Sequence, residues 1–79
     1  MPKKEDIKEE NKRIRRLRFI VDFSIACIQQ SQMSLDEAIR MVEDVKRQAL
    51  YLFPGKEEAF DIIYKPRFKR IINEKFLLH

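Results

Sequence analysis

Few side chains in this 79-residue chain could act as nucleophiles, bases or metal ligands. The cysteine Cys27 lies in an apolar run, and the only histidine is His79. A nucleophilic thiol needs a base beside it, and the sequence supplies no other histidine. The carboxylates at 43–44 and 57–61 are expected on exposed helix faces, whereas a metal or glycosidic site needs carboxylates that converge from different elements. We therefore predict a non-enzymatic protein without catalytic residues, cofactor, metal site or small-molecule substrate.

One lysine interrupts an otherwise apolar helical stripe. Lys46 lies between Val42 and Ala49 when the region is projected as a helix. A buried ammonium without a partner is costly. We expect Lys46 to reach the edge of the stripe with its charge, to pair with an acid such as Asp22, or to mark a place where the stripe faces solvent. A catalytic amine would need other site groups, and the sequence offers none.

The composition favours a small helical domain. Apolar residues make up 44% and charged residues 38%, with one Gly and three Pro. So few turn residues argue against an all-β domain, and they exclude glycine-rich phosphate loops. A single Cys excludes a disulfide framework. We predict one domain over residues 1–79, located in the cytoplasm, where a lone thiol stays reduced.

Apolar residues recur at helical spacing along most of the chain. The predicted fold class is all-α, a small helical bundle. Its elements are one long N-terminal helix (about 5–30), a second helix (about 35–53) and two short helices (about 56–64 and 66–77). The predicted core is Leu17, Val21, Ile25, Ile28, Leu35, Ile39, Val42, Val45, Ala49, Leu52, Phe60, Ile63, Phe68, Ile72 and Phe76.

Local signals place the helix ends. Ser34 and Glu37 match a capping box, in which the serine oxygen accepts the Glu37 N–H and the glutamate side chain returns to the Ser34 N–H. Pro54-Gly55 is expected to end the second helix. Pro66 is expected as the first residue of the last helix, with Lys65 held away from helical angles.

The first helix is longer than a compact domain of this size needs. About 26 residues span roughly 39 Å, whereas 79 compact residues have a radius of gyration of about 12 Å. We expect residues 1–4 to be frayed. Residues 5–18 form an overhanging basic helix end, or a second subunit shares the helix.

The net charge of +4 is unevenly distributed. Residues 1–18 hold eight basic and four acidic side chains, and residues 62–79 hold five basic side chains and one acidic side chain. Residues 35–61, between them, hold four basic and seven acidic side chains. Two basic ends therefore flank an acidic middle, which suits contact with a polyanion or with the middle of another copy. The predicted nucleic-acid contacts are Lys8, Lys12, Arg15, Arg16, Lys69, Arg70 and Asn73. The alternatives are solvated surfaces or, for residues 7–18, attachment to an anionic membrane.

From residue 19 onward the first helix becomes apolar on a second side. The predicted interface residues are Phe19, Ile20, Phe23 and Cys27. A helix that is apolar on two sides is central to a bundle or lies in an interface. Either the second and fourth helices cover one side each in a monomer, or another molecule covers one side.

These observations predict a small helical interaction or regulatory module. It would act by self-association, most simply as a homodimer, or by binding a helix of a protein partner. The alternative is a DNA-binding protein that uses its basic helix ends. The ten-residue apolar run 19–28 is too short for a membrane span, which needs about 20 residues.

Overall fold

The computed structural model describes residues 4–77, with side chains described from Ile7 onward. Four α-helices follow one another, and residues 4–77 contain no strand. The predicted all-α fold is confirmed. The frayed segment predicted at residues 1–4 lies outside the described residues except for Lys4, which begins the first helix. The elements are α1 (Lys4–Gln30), α2 (Leu35–Leu52), α3 (Glu57–Ile63), α4 (Lys65–Ile72) and a closing π-helical turn (Asn73–Leu77).

The last helix differs most from its prediction. Lys65 is the first residue of α4 rather than an extended residue before it, so Pro66 is second. Pro66 has no N–H, which breaks the hydrogen-bond ladder between α3 and α4. The Phe68 N–H nevertheless donates to the Tyr64 oxygen at 3.2 Å, so the first turn of α4 closes. The α-helix ends at Ile72, and the predicted final turns to Leu77 are wider π-helical ones.

The helices enclose one apolar core. Three predicted core residues of α1, namely Leu17, Val21 and Ile28, are buried together with Val45 and Ala49 of α2. Phe60 of α3 and Phe68 of α4 are also buried in this core. Ala38, which belongs to the predicted apolar stripe of α2, is buried as well, and so is Ser24, which the sequence did not indicate. Apart from Ile39 of α2 and Ile63 of α3, the other predicted core residues are half-buried.

Two predicted core positions are wrong. Ile39 is 42% exposed and Ile63 is 57% exposed. The apolar stripe of α2 spans about half of its circumference, but α3 and α4 have only seven and eight residues to cover it. Ile39 therefore lies at the margin of the α2–α4 contact, and Ile63 lines a cleft beside Ile14.

Two local motifs fix the ends of α2. The Glu37 N–H donates to the Ser34 Oγ at 3.1 Å, as predicted. The second half of the capping box differs, because the Ser34 hydroxyl donates to Glu37 Oε1 at 3.1 Å. After Phe53, the turn Pro54-Gly55 places glycine at φ +80° and closes with the Lys56 N–H donating to the Phe53 oxygen at 3.3 Å. Proline followed by a glycine with positive φ is typical of a type II turn.

A lysine in the π-helical turn is hydrogen-bonded at the C-terminal end of α1. The Lys75 ammonium donates hydrogen bonds to the carbonyl oxygens of Ile28 and Ser31. The last carbonyls of a helix lack partners within the helix and carry partial negative charge, so a cation stabilises them. Lys75 therefore ties the C-terminal segment to the turn after α1.

The N-terminal half of α1 extends past the core. Every side chain from Ile7 to Arg16 is exposed. The molecule measures 50 × 22 × 16 Å and has a radius of gyration of 14.3 Å. Arg13 lies 5.9 Å from the ring centroid of Phe53, which joins this part of α1 to the end of α2.

Candidate interaction surfaces

Two stacked phenylalanines lie on the outer side of α1. Phe19 is 69% exposed and Phe23 is 58% exposed. Their ring centroids are 6.0 Å apart, and the ring planes differ by 17°. Ile20 and Cys27, beside them on the same helix, are half-buried. We call Phe19, Ile20, Phe23 and Cys27 the aromatic face.

The helix spacing explains why this face stays uncovered. The buried residues of α1, such as Val21 and Ile28, point to the core, on the side of the helix opposite to Phe19 and Phe23. Both α2 and α4 contact α1, but neither covers the rings of Phe19 and Phe23. The monomer alternative, in which these two helices cover both apolar sides of α1, leaves two aromatic rings in solvent.

A groove between α1 and α2 continues from the aromatic face. Its apolar lining includes Ile20, Met33 and Met41, and Phe19 and Phe23 form its α1 edge. Glu37, Arg40 and Asp44 contribute polar groups along α2. Methionine side chains are flexible and polarizable, so they adapt to an incoming apolar surface. The groove therefore extends the aromatic face onto a second helix.

The predicted basic residues of α1 lie on the extended half of that helix. Lys8, Lys12, Arg15 and Arg16 are all exposed. The Lys12 ammonium lies 4.0 Å from the Glu9 carboxylate, both well exposed, so this pair contributes little. The four cations leave a largely solvated basic surface next to the aromatic face.

The predicted nucleic-acid contacts on the last helix lie in two different places. Lys69 and Asn73 line a groove between α2 and α4, together with Lys46 and Lys65. Arg70 lines a different depression, and its Nε donates to Glu74 Oε1 at 3.1 Å. Lys69 and Arg70 are both exposed, but they line different depressions of the surface.

The partner of Lys46 is Asp61 of α3, not Asp22. The Lys46 Nζ lies 2.9 Å from Asp61 Oδ1, and both side chains are partly exposed. The hydrogen bond from Lys46 lowers the pKa of Asp61, against the opposing effect of its burial, and the charges of Lys46 and Lys65 lower it further. Sequence reasoning missed this pair because it placed Asp61 with Glu57 and Glu58 on an exposed helix face, whereas Asp61 is half-buried.

Residues 4–77 contain no cluster of three or more His, Cys, Asp or Glu side chains that could hold a metal ion. None of the helices in that range combines the length and the apolar character needed to cross a bilayer.

Comparisons with protein-family models, with curated proteins and with solved structures gave no match to this chain.

Proposed function

We propose that this protein is a small, non-enzymatic helical interaction module that self-associates through the aromatic face. The observation that carries the proposal is the pair of stacked phenylalanines, Phe19 and Phe23, which are more than half exposed beside an apolar groove. Aromatic side chains dominate the energetics of interfaces, and contiguous exposed apolar patches mark interaction sites.

The expected association is weak and depends on concentration. Full burial of one phenylalanine side chain contributes about 1.5–3 kcal/mol, and two copies supply four such rings. Association costs roughly 4–15 kcal/mol in lost translational and rotational freedom. The groove residues Ile20, Met33 and Met41 add apolar area. We therefore expect a weak dissociation constant, in about the ten- to hundred-micromolar range.

The single thiol supports a cytoplasmic location for this module. Cys27 is half-buried at the end of the aromatic face. A reducing compartment keeps such a thiol from forming disulfides that would compete with reversible association. We propose the cytoplasm on this ground.

The second candidate function is nucleic-acid binding, which the exposed cations of α1 favour. Lys8, Lys12, Arg15 and Arg16 lie along an extended helix and are all exposed, although Glu9 lies on the same side, 4.0 Å from Lys12. Such a row can contact phosphates and release counterions, which gives affinity with little sequence preference. The separation of Lys69 from Arg70 weakens the corresponding proposal for the last helix.

A substitution in the aromatic face tests the leading proposal. Phe23→Glu places a charge at the centre of the proposed interface, so we expect a monomeric mass by multi-angle light scattering with unchanged helical circular dichroism. The matched control is Tyr51→Glu, because Tyr51 is an aromatic residue on α2 that is 86% exposed and lies outside the face. We expect this control to associate as the unsubstituted protein does.

Two outcomes would contradict the proposal. One is a Phe23→Glu protein that assembles like the unsubstituted chain, and the other is equal disruption by Tyr51→Glu. Because Phe23 is 58% exposed, a folded variant is expected. Phe23→Ser, which removes the ring without adding charge, is the second variant if Phe23→Glu fails to fold.

A further inference from the structure

We infer that the aromatic face is occupied by α1 of a second copy, which runs antiparallel to the first with the symmetry axis between Phe19 and Phe23. This arrangement rests on the proposed self-association and specifies its orientation and register. Three observations support this arrangement: the charge distribution along α1, the spacing of one stripe of residues on α1, and an acidic residue at one end of the α1–α2 groove.

The charge distribution along α1 favours the antiparallel orientation. Residues 7–18 hold six basic and two acidic side chains, whereas residues 19–30 hold one charged residue, Asp22. A parallel pair would place the two cationic halves side by side and pay Coulomb repulsion. An antiparallel pair places each cationic half against the nearly uncharged half of the other copy.

One stripe of α1 has the spacing that two packed helices need. Its members follow a 4-3-4-3-4 spacing, which keeps them along one line of a helix. They are Lys12, Arg16, Phe19, Phe23, Ala26 and Gln30.

The stripe pairs with itself when the second copy runs in the opposite direction and the symmetry axis lies between Phe19 and Phe23. Phe19 then meets Phe23 of the second copy, so the four rings form the centre of the interface. Arg16 meets Ala26, and the small Ala26 leaves space for the aliphatic part of the arginine side chain. Lys12 meets Gln30, which can accept a hydrogen bond from its ammonium.

The α1–α2 groove carries an acidic residue at the end that this orientation predicts. Glu37, near the start of α2, lines the groove together with Met33 and Phe23, whereas Arg40 and Asp44 line it farther along α2. An antiparallel second copy brings its Arg16 to this end, near Ala26. Opposite charges across an interface fix its register and disfavour other arrangements. Two such contacts occur in a twofold dimer, because each copy supplies one Arg16 and one Glu37.

Disulfide cross-linking measures the orientation directly. In a Cys27→Ser background, Lys12→Cys and Gln30→Cys in one chain place two thiols opposite each other in the antiparallel dimer and leave Arg16 in place. Each single-cysteine variant instead places its two equivalent thiols about 27 Å apart along the helix axis, beyond the roughly 7 Å between Cα atoms that a disulfide can bridge. Positions 12 and 30 within one α1 are separated by the same distance, so the bond must be intermolecular.

The readout is the rate of disulfide-dimer formation with the thiol oxidant diamide, followed on non-reducing gels. We expect the two-cysteine variant to cross-link at least about tenfold faster than either single-cysteine variant, because the paired thiols have a high effective concentration. Circular dichroism checks that each variant is folded.

The results separate the orientation from the self-association itself. Cross-linking of a single-cysteine variant at a rate comparable to that of the two-cysteine variant would overturn the antiparallel orientation in favour of a parallel one. A dimeric mass without preferential cross-linking of the two-cysteine variant would overturn the register alone. An unsubstituted chain that is monomeric at every concentration would overturn both the orientation and the proposed function.

Discussion

The Lys46 ammonium lies 2.9 Å from the Asp61 carboxylate, and this ion pair joins the middle of α2 to α3. Lys46 interrupts the apolar stripe of α2, next to the buried Val45 and Ala49. The pair leaves the lysine charge neutralised at the margin of the core, where an unpaired charge would be costly. It also fixes how the short helix α3, with only one buried residue, sits against α2.

Stability in acid should depend on Asp61. The folded structure lowers the pKa of Asp61 through its hydrogen bond with Lys46. The contribution of Asp61 is therefore fully present above the ordinary aspartate pKa of about 3.9 and is lost as the pH falls through the lowered value. We expect Asp61→Asn to be less stable than the unsubstituted chain at neutral pH and to lose less stability in acid.

Urea denaturation between about pH 7 and about pH 2.5 checks this prediction. The matched control is Asp44→Asn, because Asp44 pairs with Arg47 at 3.4 Å on an exposed surface. Exposed pairs contribute little, so this control should keep the pH dependence of the unsubstituted protein. An unchanged pH dependence in Asp61→Asn would show that the pair contributes nothing.

The Lys75 bonds to the turn after α1 should be measurable as stability. Lys75→Met removes hydrogen bonds to the Ile28 and Ser31 oxygens and the favourable charge at the helix end. We expect the free energy of unfolding to fall by about 1–2 kcal/mol. Urea denaturation compares this variant with Lys69→Met, whose lysine is exposed on α4 and whose effect should stay within about 0.5 kcal/mol. Equal effects of the two substitutions would contradict the role of Lys75.

Nucleic-acid binding should be weak under the leading proposal. The cations Lys12 and Arg16 lie in the proposed dimer interface, so a DNA duplex competes with self-association for them. We expect binding to a labelled duplex at low salt, measured by fluorescence anisotropy, and its loss at about 0.15 M salt, where charges are screened beyond about 8 Å.

Binding that persists at that salt concentration would favour the second candidate function. Arg15→Gln with Arg16→Gln should then reduce the slope of log affinity against log salt by about 2, since each phosphate contact contributes about 0.9. The pair Lys69→Gln and Arg70→Gln provides the comparison for the last helix.

Much of the fold follows from local patterns in the sequence. The periodic apolar residues predict the helices because an amphipathic helix must bury one side. Ser34 and the Pro54-Gly55 turn fix the ends of α2 through short-range hydrogen bonds that spacing alone reveals. The exposed positions of Ile39 and Ile63 depend instead on how much surface the short α3 and α4 can cover, which no local pattern determines.

For the candidate surfaces too, local spacing predicts some features, and others depend on tertiary packing. The change of residue type along α1 predicts the place of Phe19 and Phe23, because the direction of a side chain on a helix follows from its position. The pairing of Lys46 with Asp61 and the bonds of Lys75 join residues far apart in the chain, so they depend on tertiary packing. The separation of Lys69 from Arg70 likewise depends on which neighbouring helix each one meets.

The mass of the unsubstituted protein in solution tests the central claim most directly. Sedimentation equilibrium should be run from about 1 μM to about 1 mM, which brackets a dissociation constant in about the ten- to hundred-micromolar range. Self-association through the aromatic face predicts a mass that rises with concentration from the 9.6-kDa monomer towards twice that value. A mass that stays at 9.6 kDa over the whole range would contradict it.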